Sequence, residues 1–163
     1  MDLYAQNILD RYKEPYYKDK PVKANAINEE VNHSCGDKIE VKLEILNSKS
    51  KVGSVALSGA NITGCSGSRQ SLEPANLESK IETYSFSGVG CAISQASADI
   101  LGDLIIGKTL EEVLALTKDE LFEALGIEIS LRRSKCALLG LITVKNAILK
   151  YLGKKQNACS LTQ

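Results

Sequence analysis

The chain has 163 residues, 44% of them hydrophobic and 25% charged, enough for one domain whose core needs no covalent staples. Twenty basic and twenty acidic side chains give a formal net charge of zero, which argues against a nucleic-acid or other polyanion partner. No basic flank precedes an apolar run near Met1, and no stretch is long enough to span a bilayer, so neither a signal peptide nor a membrane anchor is expected.

The elements follow from hydrophobic spacing. Tyr4, Ile8 and Tyr12, with Ala5 and Leu9 beside them, make one apolar face of a short helix over Leu3 to Tyr12, closed by Pro15. Lys13 to Ser34 is polar, contains Pro15 and Pro21 and has no period, which predicts an extended surface segment with Tyr16 and Tyr17 packed onto the domain. From Lys38 to Leu46 the alternation is strict: Ile39, Val41, Leu43 and Ile45 face one way, Lys38, Glu40, Lys42 and Glu44 the other, as in a half-buried strand.

Lys80 to Phe86 alternates more loosely and ends in Ser87-Gly88-Val89-Gly90, the expected antiparallel partner of the first strand. Between the two, Asn47 to Ser79 is rich in Ser, Gly and Asn and reads as a long excursion that could hold a further strand over Val52 to Leu57. After Cys91 the pattern turns helical through Ile93, Ala96, Ile100, Leu101 and Leu104, and Gly107 stops it. Thr109 with Glu112 and Thr117 with Glu120 are capping boxes that start two further helices, the second ended by Gly126. A last helix is expected from about Ser134 to Leu152, with Leu138, Leu141, Ile142, Ile148, Leu149 and Leu152 on its apolar face, followed by a frayed tail. This order predicts an α+β domain with helices gathered on one face of a small antiparallel sheet.

Five cysteines, Cys35, Cys65, Cys91, Cys136 and Cys159, are an odd number in a chain without an export signal, which predicts free thiols in a reducing cytoplasm. Three of them sit at seams of the pattern: Cys35-Gly36-Asp37 before the first strand, Cys91 where strand passes to helix, Cys136 at the expected start of the last helix. A helix start offers unpaired amides and a positive dipole end, so Cys91 and Cys136 are expected to ionise more readily than a free cysteine, Cys136 with help from Arg132, Arg133 and Lys135. Thiolates suit zinc and iron-sulfur clusters, which take four protein ligands, and Asp37 is the nearest fourth because Gly36 permits a tight turn. The plain alternative is that these cysteines are small buried hydrophobes. His33 reads as a solvated loop histidine before it reads as a spare ligand, Cys65 as a loop residue before a sulfur acceptor, and Cys159 as idle.

Tyr4 to Pro15 (YAQNILDRYKEP), Asn32 to Asp37 (NHSCGD), Phe86 to Ser97 (FSGVGCAISQAS), Gly107-Lys108-Thr109 and Lys135 to Leu138 (KCAL) together resemble the iron-sulfur cluster assembly scaffold family typified by IscU, the amino-terminal domain of NifU, and SufU. The resemblance implies one scaffold domain over residues 1–153, with an insertion at about 47–79 and a flexible tail over 154–163. It also implies a [2Fe-2S] cluster, or Zn2+ or Fe2+ in the same place, held by Cys35, Asp37, Cys91 and Cys136. A cysteine desulfurase would supply the sulfur and apo iron-sulfur proteins would accept the cluster, with a homodimer around a shared cluster left open. On this reading the protein is a scaffold rather than a true enzyme.

Two departures point to an alternative branch. Members of the IscU type carry a histidine just before the third cysteine, within a Leu-Pro-Pro-Val-Lys stretch; here the residue is Lys135 and the stretch reads Ile129-Ser130-Leu131-Arg132-Arg133. Arg132, Lys135, Cys136 and Ala137 are closer to SufU, so the alternative is a zinc-bound sulfur carrier that takes persulfide on Cys35 or Cys136 and holds no cluster. A structural zinc domain without chemistry is the third expectation.

Overall fold

A computed structural model describes residues 3–46, 78–127 and 129–153, with side chains from residue 6 onward. In chain order the elements are α1 (Leu3–Lys13), β1 (Ala26–Asn32), β2 (Asp37–Leu46), β3 (Lys80–Val89), α2 (Ala92–Ile105), α3 (Leu110–Ala115), α4 (Lys118–Leu125) and α5 (Leu131–Tyr151). The three strands form one antiparallel sheet in the order β1-β2-β3. Helices α2 and α5 pack on one face of it, as the α+β expectation required.

Strand β2 carries the core. Ile39, Val41, Leu43 and Ile45 are all buried, and the opposite face is laced with charge: Lys38 pairs with Glu29, and Lys42 with Glu40. The looseness of β3 has a definite cause, a register shift between Glu44 and Ile45. Val41 then faces Phe86, Leu43 faces Tyr84 and Ile45 faces Ile81, so one extra residue on β3 lets all three apolar side chains reach the core.

The segment from Lys13 to Ser34 differs from expectation. Ala26–Asn32 is an edge strand, hidden from hydropathy because its inward face is polar: Asn28 and Asn32 are buried and Glu30 is half-buried. Glu30 accepts from the side-chain amides of Asn28 (3.0 Å) and of Asn146 on α5 (2.8 Å), so hydrogen bonds hold this seam where apolar burial would otherwise.

Helix α1 also departs from its expected face. Ile8 is buried, whereas Leu9 and Tyr12 are exposed, and the side chains of Tyr4 and Ala5 lie outside the described residues. What docks α1 is Arg11, whose guanidinium reaches the fully buried Asp99 at 2.8 Å and also Asp103, both on α2. Asp99 further accepts from the Tyr17 amide at 2.7 Å, and Tyr17 lies edge-on to Tyr84, packed as expected, whereas Tyr16 is 61% exposed and does not pack onto the domain as expected.

Both capping boxes and the left-handed Gly126 after α4 stand where the sequence put them. Helix α5 begins three residues earlier than expected, and its buried apolar residues are Ala137, Leu139, Leu141, Val144, Ala147 and Ile148; of the expected face only Leu141 and Ile148 are buried, Leu138, Ile142, Leu149 and Leu152 being half-buried. Small residues set the buried face because α5 lies close against α2: a Cβ on Gly140 would stand 3.3 Å from the Ala98 backbone, and the Ser97 hydroxyl donates to Ala137 O at 2.6 Å. Among the described residues no helix is long and apolar enough to cross a membrane. The strand expected over Val52 to Leu57, and both Cys65 and Cys159, lie outside the described residues.

Candidate metal centre

The site forms where the β1–β2 turn, the start of α2 and the second turn of α5 meet. In the turn, the main-chain carbonyl of Asn32 accepts from the amides of Cys35 (3.2 Å) and Gly36 (2.8 Å), and Gly36 takes a positive φ of 77°. This turn leaves Cys35 exposed and aims Asp37, the first residue of β2, inward. On α5, Cys136 is 5% exposed and its sulfur lies 3.5 Å from that of Cys35. The donor atoms of Cys35, Asp37 and Cys136 all lie within 4.8 Å of one another.

Cys91 caps α2, its sulfur accepting from the Ser94 amide at 3.5 Å. It stands outside the close trio but on the wall of the same cavity, about 710 Å³ in volume, with Cys35, Asp37 and Cys136. Asp37 joins the two parts, because its Oδ1 accepts from the Cys91 amide at 3.2 Å. Gly90 makes that approach possible: a Cβ there would collide with the Ser94 hydroxyl and come within 3.2 Å of the Asp37 carboxyl carbon.

The electrostatics correct one expectation. The Cys136 thiol is pushed well above its ordinary pKa, first by burial, then by its hydrogen bond with Cys35 and the negative charges of Cys91, Cys35 and Asp37. Because α5 starts at Leu131, Cys136 sits in its second turn, where the dipole end that was expected to favour the thiolate has faded. Burial also opposes ionisation of Asp37, yet the polar groups of Cys35, Ser94 and Cys91 outweigh it and hold the carboxyl below its usual value. Among the described residues Asp37 Oδ2 is buried and has no hydrogen-bond partner.

An orphaned, buried carboxylate oxygen beside two thiols is a donor set for a cation. The negative neighbours of Cys136 oppose its ionisation, and a bound cation would outweigh that repulsion. The residues therefore fit zinc, ferrous iron or an iron-sulfur cluster by ligand type. Arg132, Arg133 and Lys135 line the cavity but, contrary to expectation, do not bring the Cys136 thiol down, and Leu131 at its rim is 91% exposed. His33 is exposed in the turn, as expected of a solvated loop residue. Asn32 was not foreseen, although an Asn two residues before a backbone turn is a recognisable signal.

The profile of the NifU-like N terminal domain matches residues 72–158. The chain belongs to that family. Its matched region contains Cys91 and Cys136, while Cys35 and Asp37 fall before it. The NifU-like chain is 22% identical over 152 residues to the iron-sulfur cluster assembly scaffold protein IscU 1 of Archaeoglobus fulgidus, covering 93% of this chain and 78% of that protein. It is 28% identical over 117 residues to the zinc-dependent sulfurtransferase SufU of Bacillus subtilis, covering 71% and 57% respectively. The crystal structure of FiSufU from Fervidobacterium islandicum AW-1 shares the fold, with a TM-score of 0.57 at 23% identity, covering 88% of this chain and 94% of that one.

Proposed function

We propose that this protein is an iron-sulfur cluster assembly scaffold, with Cys35, Asp37, Cys91 and Cys136 as the ligands of a [2Fe-2S] cluster in transit. The observation that carries this reading is the convergence of Cys35, Asp37 and Cys136 within 4.8 Å, beside a carboxylate oxygen that has no other use. Family membership and the similarity to IscU 1 support it. One scaffold domain over residues 1–153, carrying an insertion at about 47–79, is part of the same reading.

The residues divide the work. Cys35, exposed at the cavity mouth, is the thiol that a cysteine desulfurase can reach: its thiolate attacks the outer sulfur of the desulfurase's cysteine persulfide, that S–S bond breaks, and the desulfurase thiolate leaves as the persulfide forms on Cys35. Cys136, buried behind it, and Cys91 on the wall supply further thiolates once their protons leave. Asp37 is a harder and weaker partner for iron-sulfur chemistry than a fourth thiolate, which suits a cargo destined for an apo acceptor protein. Arg132, Arg133 and Lys135 lower the cost of collecting anionic sulfur there. The free thiols suit a reducing cytoplasm.

Anaerobic reconstitution with iron, sulfide and a reductant tests the reading. A visible chromophore with about two irons and two sulfides per cluster is expected. A protein that stays colourless and keeps zinc overturns it.

The basic run Arg132, Arg133 and Lys135, and the similarity to SufU, favour a second reading: a zinc-bound sulfur carrier that activates a desulfurase without holding a cluster. On that reading desulfurase turnover rises when the zinc-loaded protein is added, and an unchanged rate removes it.

A further inference from the structure

Asn32 makes contact with both the turn and the α5 wall of this site. It is 2% exposed and stands opposite Asp37 in the β1–β2 ladder. Its main-chain carbonyl holds the amides of Cys35 and Gly36, and its Oδ1 accepts from the Ser34 amide at 3.1 Å. Its side-chain Nδ2 donates to the Cys136 sulfur at 3.6 Å, inside the range for a hydrogen bond to sulfur. Asn25, exposed and just before the other end of the strand, offers a contrast: both ends of its side-chain amide are spent on the Ile45 backbone. Asn32 instead gives its N–H to a poor acceptor, a thiol sulfur.

We propose that Asn32 is a positioning residue of the metal centre: its amide N–H holds and tunes the Cys136 sulfur, while its oxygens fix the turn that presents Cys35 and Asp37. The role rests on the metal-centre reading above. A neutral thiol accepts a hydrogen bond weakly, whereas a thiolate accepts a charge-assisted one. The contact therefore strengthens as Cys136 exchanges its proton for a metal, so Asn32 favours the loaded site. The donated hydrogen also draws electron density from the sulfur, lowering the energy of its lone pairs and raising the energy needed to move charge from sulfur to metal.

Cobalt(II) added to the full chain is the probe, read by its sulfur-to-cobalt charge-transfer band and by competition against a chelator. Asn32→Ser keeps a side-chain oxygen for the Ser34 amide but withdraws the donor from Cys136. It is expected to lose about 10- to 100-fold in metal affinity and to move the band to lower energy. The same substitution in a Cys136→Ser background is expected to cost much less, since the sulfur it acts through is gone. Should Asn32→Ser fail to keep the wild-type far-UV spectrum, Asn32→Asp keeps the shape, removes the donor and moves the band the same way.

Wild-type protein that takes up no cobalt overturns the metal centre and this role together. Wild-type uptake with an unshifted band and unchanged affinity in the Asn32 variant overturns the role alone. An equal loss in both backgrounds also overturns it, because that result belongs to a residue that only shapes the turn.

Discussion

The sulfurs of Cys35 and Cys136 stand 3.5 Å apart although the residues are separated by 101 positions, and one is exposed while the other is buried. A modest approach would join them. Treatment with hydrogen peroxide should therefore link Cys35 to Cys136, the two thiols losing two electrons and two protons and the peroxide ending as two waters. Non-reducing peptide mapping of the treated protein should find this pair ahead of any involving Cys91. Zinc bound beforehand should slow the reaction, and a product spread evenly over all the cysteines would show that the sulfurs are not held together.

Asp37 supplies the oxygen ligand in the proposed set. Replacing it by alanine removes the partner most easily displaced, so a cluster reconstituted on Asp37→Ala should reach an apo acceptor more slowly than from the wild type. Transfer followed by circular dichroism in the visible range gives the rate, and unchanged kinetics would take Asp37 out of the release step.

Asp99 is fully buried and ties α2 to Arg11 on α1 and to the backbone of Tyr17. Asp99→Asn keeps the shape and loses the charge. A loss of about 1–3 kcal/mol in urea unfolding is expected, with Arg11 partly compensated by water and by Asp103. Amide exchange over α1 should quicken more than over β2, since Arg11 ties that helix to Asp99.

The two capping boxes set an acid limit. Glu112 and Glu120 are held below the usual carboxylate range, first by the amides of Thr109 and Thr117 and next by the hydroxyls of the same residues. A folded-state pKa below the unfolded one means stabilisation that is complete above about pH 5 and fades as pH falls through the folded value. The stability difference between wild type and Glu120→Gln should be present at pH 6 and shrink toward pH 3, whereas Thr117→Ala should cost about 1 kcal/mol at pH 6. Urea titrations across that range check this, and a difference that did not change with pH would contradict the assignment.

Legibility in the sequence followed how each residue meets water. Ile39, Val41, Leu43 and Ile45 were readable because every inward position of β2 is apolar. β1 was not, because Asn28, Glu30 and Asn32 look solvated until α5 supplies Asn146 and Cys136 as their partners. The first turn of α5 hid for a related reason: Leu131 is exposed and Arg132 to Lys135 add no apolar period, so the helix seemed to begin near Ser134, and Cys136 was credited with a dipole it does not feel. Seams in the pattern located Cys35, Asp37, Cys91 and Cys136, and the resemblance to a scaffold family made them a set. Neither could convey that Cys91 is engaged as a helix cap apart from the other three.

The cavity draws its walls from a hairpin turn, the head of α2 and the flank of α5, segments that meet only when the chain has closed on itself. No fragment carrying one of these pieces could bind a metal ion as the whole does. Occupancy is thus a readout of completed folding, and a tightly bound ion at a hundredfold excess over its dissociation constant would add about 2.7 kcal/mol to the native state. On the proposed scaffold reading, surrendering a cluster would return the protein to its less stable form, and delivery would be a moment of exposure to proteolysis.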